Sequence, residues 1–189
     1  MRIVSGHLRG RRLVAVPGRK TRPTADRVRE ALFNILGSAP RGAAVLDLFA
    51  GTGALGIEAL SRGARMAVFV DTAPQAVAVL RRNIESCGLQ NCACILRWDV
   101  LKNLNCLKPY PRTFDLVFLD PPYGRNMLPV TIERLVALEV LADEATLVAE
   151  HADDKLPETA GLTCYDRRRY GHTQLSFFRY QRKPELCDG

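Results

Sequence analysis

Apolar positions along the chain change rhythm near Ala43. From there short apolar runs alternate with stretches whose apolar residues recur at helical spacing. The runs Val45–Phe49, Met66–Val70, Cys94–Trp98, Phe114–Leu119 and one near 146–150 predict strands. Between them, the spacing predicts a helix from the Gly51–Gly56 loop to about Gly63, a second from Pro74 to Cys87 stopped by Gly88, and a third near 128–138. Strand–helix alternation of this kind implies a mostly parallel sheet with helices on both faces. The end of the chain departs from it: Thr163–Tyr170, a Gly171–His172 turn and Thr173–Tyr180 predict an antiparallel hairpin.

The start departs too. Ile3 and Val4, then Leu13 to Val16, with Gly6 and Gly10 between them, predict two short strands, an N-terminal β-hairpin extension. Val28, Ala31, Leu32, Ile35 and Leu36 predict a helix capped by Thr24 or Asp26 and ended by Gly37. The chain is thus expected to divide into a basic arm over 1–22, a catalytic domain over 23–182 and a flexible tail over 183–189. At 189 residues it holds one full core. No apolar stretch approaches the ~18 residues that span a bilayer, and the start turns polar too early for an export signal, so a cytoplasmic address is expected. Six cysteines, at 87, 92, 94, 106, 164 and 187, show no CxxC pair. They read as ordinary thiols, with no metal site.

Charge sharpens the picture of the arm. The net charge is +7, and residues 1–30 hold nine basic residues against two acidic ones, while the remainder balances. A neutral body with a basic head points to a polyanion, with Arg9, Arg11, Arg12, Arg19, Lys20, Arg22 and Arg29 as candidate contacts. Read as a separate arm, residues 1–16 are expected to be removable without unfolding the core.

Gly51-x-Gly53-x-x-Gly56 follows a predicted strand and opens a predicted helix, the context of a nucleotide-binding turn. Its glycines would let backbone approach a ligand. The motif alone does not separate NAD, FAD and S-adenosylmethionine. Asp47, four residues earlier, would repel a pyrophosphate and attract an amino acid's ammonium group. Acids recur at the next strand ends: Asp71 suits ribose hydroxyls and Asp99 an adenine amino group, with Phe49 and Val100 beside them. The set favours a methyl donor over a dinucleotide.

Asp120-Pro121-Pro122-Tyr123 follows the fourth predicted strand. An exocyclic base amine is a poor nucleophile because its lone pair is delocalised. The Asp120 carboxylate and the Pro121 carbonyl can each accept one N–H, Pro122 stiffens the turn, and Tyr123 can stack on the base. This chemistry fits adenine, cytosine or guanine amines equally. Cytosine C5 chemistry would need a Pro-Cys pair, which the chain lacks.

The residues quoted so far, with Arg2-Ile3-Val4-Ser5-Gly6, Gly10-Arg11-Arg12-Leu13 and the run from Arg22 to Leu36, resemble the bacterial small-subunit ribosomal RNA guanine-N2 methyltransferases of the RsmD type over nearly the whole chain. Ser5, Thr52 and Asp71 stand where that family often has Gly, Ser and Glu. The resemblance implies a Rossmann-like class I methyltransferase fold. It also implies transfer from S-adenosylmethionine to guanine N2 in 16S rRNA, presented in a small ribosomal subunit or assembly intermediate, by a monomer away from membranes. The alternatives are a DNA adenine-N6 or cytosine-N4 methyltransferase, for which 189 residues leave little room for a recognition domain, a nicotinamide oxidoreductase, and a non-catalytic RNA-binding protein on the same fold.

Overall fold

A computed structural model of the chain describes residues 1–17, 23–122, 127–152 and 159–182. Its elements run α1 (Pro23–Leu36), β1 (Ala44–Leu48), α2 (Ala54–Ser61), β2 (Met66–Asp71), α3 (Pro74–Cys87), β3 (Ala93–Arg97), β4 (Phe114–Leu119), α4 (Met127–Ala137), β5 (Leu141–His151), β6 (Leu162–Tyr170) and β7 (Thr173–Tyr180), with a 3-10 turn at Asn105–Leu107. The seven strands form one sheet in the order β3-β2-β1-β4-β5-β7-β6. The first five are parallel, and β7 pairs antiparallel to both β5 and β6. The predicted architecture of parallel sheet, helices on both faces and terminal hairpin is what the chain adopts.

Strands β1, β2 and β4 carry apolar residues on both sides, with Asp47 and Asp115 as exceptions within β1 and β4, because both faces are covered. Val28, Leu32 and Phe33 of α1, Ile57 of α2 and Leu80 and Ile84 of α3 pack one face together with Phe69, Phe118 and Phe177. Leu128, Ile132 and Leu135 of α4 and Leu107 pack the other, against Leu46, Val68, Val117 and Phe178. Strand β5 begins earlier than its apolar run suggests, because Leu141 anchors it while the exposed Asp143 and Glu144 interrupt the pattern. Neither Thr24 nor Asp26 is the residue before α1, which starts at Pro23, where the missing N–H costs nothing.

One row of paired residues crosses the whole sheet: Leu96, Val70, Leu48, Leu119, Ala149, Ser176 and Arg167 stand level on β3, β2, β1, β4, β5, β7 and β6. Asp71 and Asp120 each follow a residue of this row, so both lie at the carboxyl edge of the parallel strands.

The N-terminus differs from expectation. Residues 2–16 make one antiparallel bridge, Arg2 to Arg12, and no extended ladder. Ile3 N–H donates to the Arg11 carbonyl at 2.9 Å and Leu13 N–H to the Met1 carbonyl at 3.1 Å, but the neighbouring donors leave the hairpin. Val4 and Ser5 N–H groups donate to the Glu58 carboxylate at 2.8 and 2.9 Å, Leu8 N–H to Ser61 Oγ at 3.0 Å, and Val14 N–H to Asn83 Oδ1 at 2.8 Å. Side chains of α2 and α3 take the place of a partner strand. Gly6, at φ +81°, lies so close that a Cβ would meet the Ser61 carbonyl oxygen at 1.9 Å. Ile3 and Leu13 are buried in the same core as α1 and α2.

Arg29 belongs to this arrangement and is a correction to its reading as an exposed phosphate contact. It is 4% exposed. Its guanidinium donates to the Arg2 carbonyl, pairs with Asp26 at 3.0 Å and lies 3.7 Å from Glu58. Glu58, fully buried, also holds Arg62 at 2.9 Å.

Removal of residues 1–16 therefore takes side chains out of the core and donors away from a buried charge. The truncated chain is expected to lose its cooperative melt or to melt far below the full chain. Glu58→Ala should cost about 3–5 kcal/mol by leaving buried groups unpaired, read from urea unfolding midpoints. A truncated protein that melts with the full chain would refute this account.

Candidate active site

The edge beyond the Leu48–Leu119 row is built from loops that leave the strands. After β1 the chain turns through Phe49 (φ 63°), Gly51 (φ 56°) and Gly53 (φ 78°) before α2 begins. Asp71, at the end of β2, fixes this turn: its Oδ2 accepts Gly51 N–H at 2.8 Å and its Oδ1 accepts Ala73 N–H at 2.8 Å. A carboxylate has about four acceptor sites, so two backbone donors leave room for ligand hydroxyls.

The glycines divide their work differently from the sequence reading. A Cβ on Gly53 would meet Leu80 Cδ1 at 2.3 Å, and one on Gly56 would meet Phe69 at 2.3 Å. Both glycines let α2 and α3 pack closely against β2. Asn83 of α3 adds a tie by donating to the Thr52 carbonyl at 2.9 Å.

Asp47 is buried within β1, and its Oδ2 accepts Gly56 N–H at 2.9 Å. Burial pushes its carboxyl up to about 7; the Gly56 bond opposes the shift and the negative Asp71 adds to it. Glu58, the other buried carboxylate of this region, has two arginines, whereas Asp47 has no ion-pair partner among the described residues.

Asp99 accepts Leu101 N–H at 3.1 Å and lines a cavity of about 390 Å³ with Thr72, Pro74, Trp98 and Lys102, while Val100 is buried behind it. Trp98, the single tryptophan, is a wall of this cavity that the sequence reading passed over. Its indole N–H donates to Asn103 at 3.1 Å, which holds the ring in place. The available signal was a large aromatic immediately before a strand-end acid.

Asp120 and Pro122 are exposed at the end of β4, and Pro121 between them is buried. Strands β1 and β4 are neighbours, so the Gly51 turn and Asp120 start side by side. Tyr123, Arg19, Lys20 and Arg22 lie outside the described residues. Arg9, Arg11 and Arg12 are exposed, and Arg11 donates to the Ser86 carbonyl. Their turn abuts Ser61, close to Gly63, whose carbonyl accepts from Gly42 just ahead of β1. They therefore sit toward the amino edge of the sheet, away from Asp120. The arrangement joins, on one edge, a cavity, a carboxylate fixing a glycine turn, a buried acid without a cation, and an exposed acid on a proline-stiffened turn. Among the described residues no group of His, Cys, Asp and Glu could hold a metal ion, and no helix is long and apolar enough to cross a membrane.

Comparison with known proteins gives this edge a context. The family described as Conserved hypothetical protein 95 matches residues 1–179. "Putative rRNA methyltransferase YlbH" of Bacillus subtilis is 38% identical over 181 residues, covering 95% of this chain and 98% of its own length. "Ribosomal RNA small subunit methyltransferase D" of Escherichia coli K12 is 36% identical over 186 residues, covering 98% of this chain and 91% of its own length. The structure of "Putative methyltransferase yhhF from Escherichia coli" superposes with a TM-score of 0.85 at 33% identity, covering 96% of this chain and 98% of that one. Fold and sequence agree over the same span, and the chain belongs to the Conserved hypothetical protein 95 family, the RsmD family of methyltransferases.

Proposed function

We propose that the chain transfers a methyl group from S-adenosylmethionine to the exocyclic N2 amine of a guanine in 16S ribosomal RNA, in the cytoplasm and as a monomer. The observation that carries this reading is the level pairing of Leu48 with Leu119. It starts the Gly51 turn and the Asp120 turn from the ends of adjacent strands, which lie ~4.8 Å apart. A donor held over the first and an amine held by the second would be within reach of in-line transfer. The similarity to small-subunit methyltransferase D proteins supports ribosomal RNA over DNA as the acceptor.

The cofactor fits the residues present. When bound, it supplies an electrophilic methyl group and carries an ammonium group. The buried Asp47 is a carboxylate short of a cation, Asp71 offers acceptors for ribose hydroxyls, and Asp99 faces a cavity suited to an adenine. On the acceptor side, Asp120 Oδ and the Pro121 carbonyl take the two amine hydrogens and expose the nitrogen lone pair. Buried Pro121 anchors the turn so that its carbonyl keeps its aim. Tyr123 stacks on the extruded base, an interaction worth ~1–3 kcal/mol. The exposed Arg9, Arg11 and Arg12 hold backbone phosphates remote from the target base.

Tritiated S-adenosylmethionine offered with small ribosomal subunits, free ribosomal RNA and DNA, followed by nucleoside analysis, tests the whole reading. N2-methylguanosine from RNA is expected, and label in DNA or in another nucleoside overturns it. Asp120→Ala should lower kcat by roughly a hundredfold or more while S-adenosylhomocysteine affinity stays within about threefold. Near-normal turnover would remove Asp120 from the chemistry.

The raised carboxyl of Asp47 makes a separate prediction. In the ligand-free protein the folded state keeps a proton that the unfolded chain has lost, from about pH 4 up to about 7. Stability from this group is complete below that window and falls as pH rises through it. An ammonium group beside Asp47 favours the ionised form, so S-adenosylhomocysteine binding at about pH 6.5 should release a proton. Calorimetry in buffers of different ionisation enthalpy reads that release, and Asp47→Asn should abolish it. A wild-type enthalpy independent of buffer would refute the pairing.

A further inference from the structure

The charge balance of residues 31–189 conceals a local surplus. The β6–β7 hairpin, Leu162–Tyr180, carries Arg167, Arg168, Arg169 and Arg179 against the single acid Asp166. Strand β6 is the outermost strand of the sheet, and its three consecutive arginines are exposed. Arg168 pairs with Asp166 at 3.0 Å, and Arg169 Nε donates to the Gly171 carbonyl at 3.2 Å. Arg167 has no ion-pair partner among the described residues. Successive residues of a strand face opposite sides, so Arg167 and Arg169 share one side.

Their position along the strand gives the run its meaning. Arg167 stands in the row that contains Leu119, through Ala149 and Ser176. Arg168 pairs with Leu175 and Arg169 with Gln174, which face Glu150 and His151 of β5. The run therefore climbs from the level of Leu119 to and beyond that of Asp120. It lies three strands away from β4, about 14 Å at ~4.8 Å per strand. Asp47, Gly51, Asp71 and Asp99 all belong to the β1–β3 half of this edge, which leaves the β4-to-β6 half for the acceptor. The arginine run closes that half.

We infer that Arg167 and Arg169, with Arg168 beside them, bind the phosphate backbone of the substrate RNA a few nucleotides from the base held at Asp120. This rests on the reading of the chain as an RNA methyltransferase. Guanidinium groups suit phosphate oxygens through paired N–H donors. The competing account is that charge on an outer strand merely prevents edge-to-edge pairing between molecules. The two accounts part on the sign of the charge: glutamate guards an edge as well as arginine, but it repels phosphate.

The test compares the full-length protein with a double variant, Arg167→Glu with Arg169→Glu, and with the double lysine variant. Methyl transfer is followed on small ribosomal subunits and on protein-free small-subunit RNA. RNA affinity is measured by filter binding over a range of salt, and S-adenosylhomocysteine affinity by calorimetry. The glutamate variant should remain monodisperse and keep its S-adenosylhomocysteine affinity and its kcat within about twofold. Its KM should rise roughly tenfold or more, and its log–log salt slope should flatten by about 0.7–0.9 per lost contact. The lysine variant should keep most of the slope. A glutamate variant with unchanged KM and slope, beside an active wild type, overturns the inference. A wild type that methylates no RNA overturns the functional reading itself, and the inference with it.

Discussion

The carboxylate of Glu58 governs how this chain is put together. A charge with no solvent contact is tolerated only when donors surround it. Here the backbone N–H groups of Val4 and Ser5 and the Arg62 guanidinium donate to it, and the Arg29 guanidinium adds positive charge at 3.7 Å. These groups come from three separate stretches of sequence. Satisfying one side chain thus fastens the N-terminal residues and α1 onto α2, the helix that follows the glycine turn. Arg62 also lies 4.7 Å over the Phe33 ring, which ties the charged cluster to the apolar core.

Around that anchor, the carboxyl edge separates support from chemistry. Gly53, Gly56, Phe69 and Leu80 are a packing arrangement that seats α2 and α3 tightly on β2. Asp71 converts that packing into a fixed turn by holding Gly51. Asp47 and Glu58 are both buried, yet the protein answers only one of them with positive charge. Among the described residues, Glu58 is thus compensated within the fold while Asp47 keeps a raised carboxyl.

Much of this could be read directly from the residues. The bounds of α3 and β4 follow from Pro74, Gly88 and the apolar run Phe114–Leu119, because each has a local cause. Asp71 and Asp120, at the ends of β2 and β4, stand out for the same reason. The N-terminal hairpin is shorter than its apolar residues suggest: Ile3 and Leu13 donate across it to Arg11 and Met1, but the donors of Val4, Ser5, Leu8 and Val14 meet Glu58, Ser61 and Asn83. Arg29 was counted as surface charge because composition carries no depth. The role of Arg167 to Arg169 was invisible because it depends on register through two further strands, which no local pattern encodes.

The strand order has a consequence for biosynthesis. Strand β7, the last to be translated, lies between β5 and β6. Until residues 173–180 leave the ribosome, β5 keeps an open edge bearing the apolar Leu147, Val148 and Ala149. An unpaired apolar edge is a template for intermolecular strand addition. A nascent chain paused short of Tyr180 is therefore in a more hazardous state than one paused before β5 is made. Premature stop codons in the final hairpin should yield insoluble protein instead of a smaller working domain.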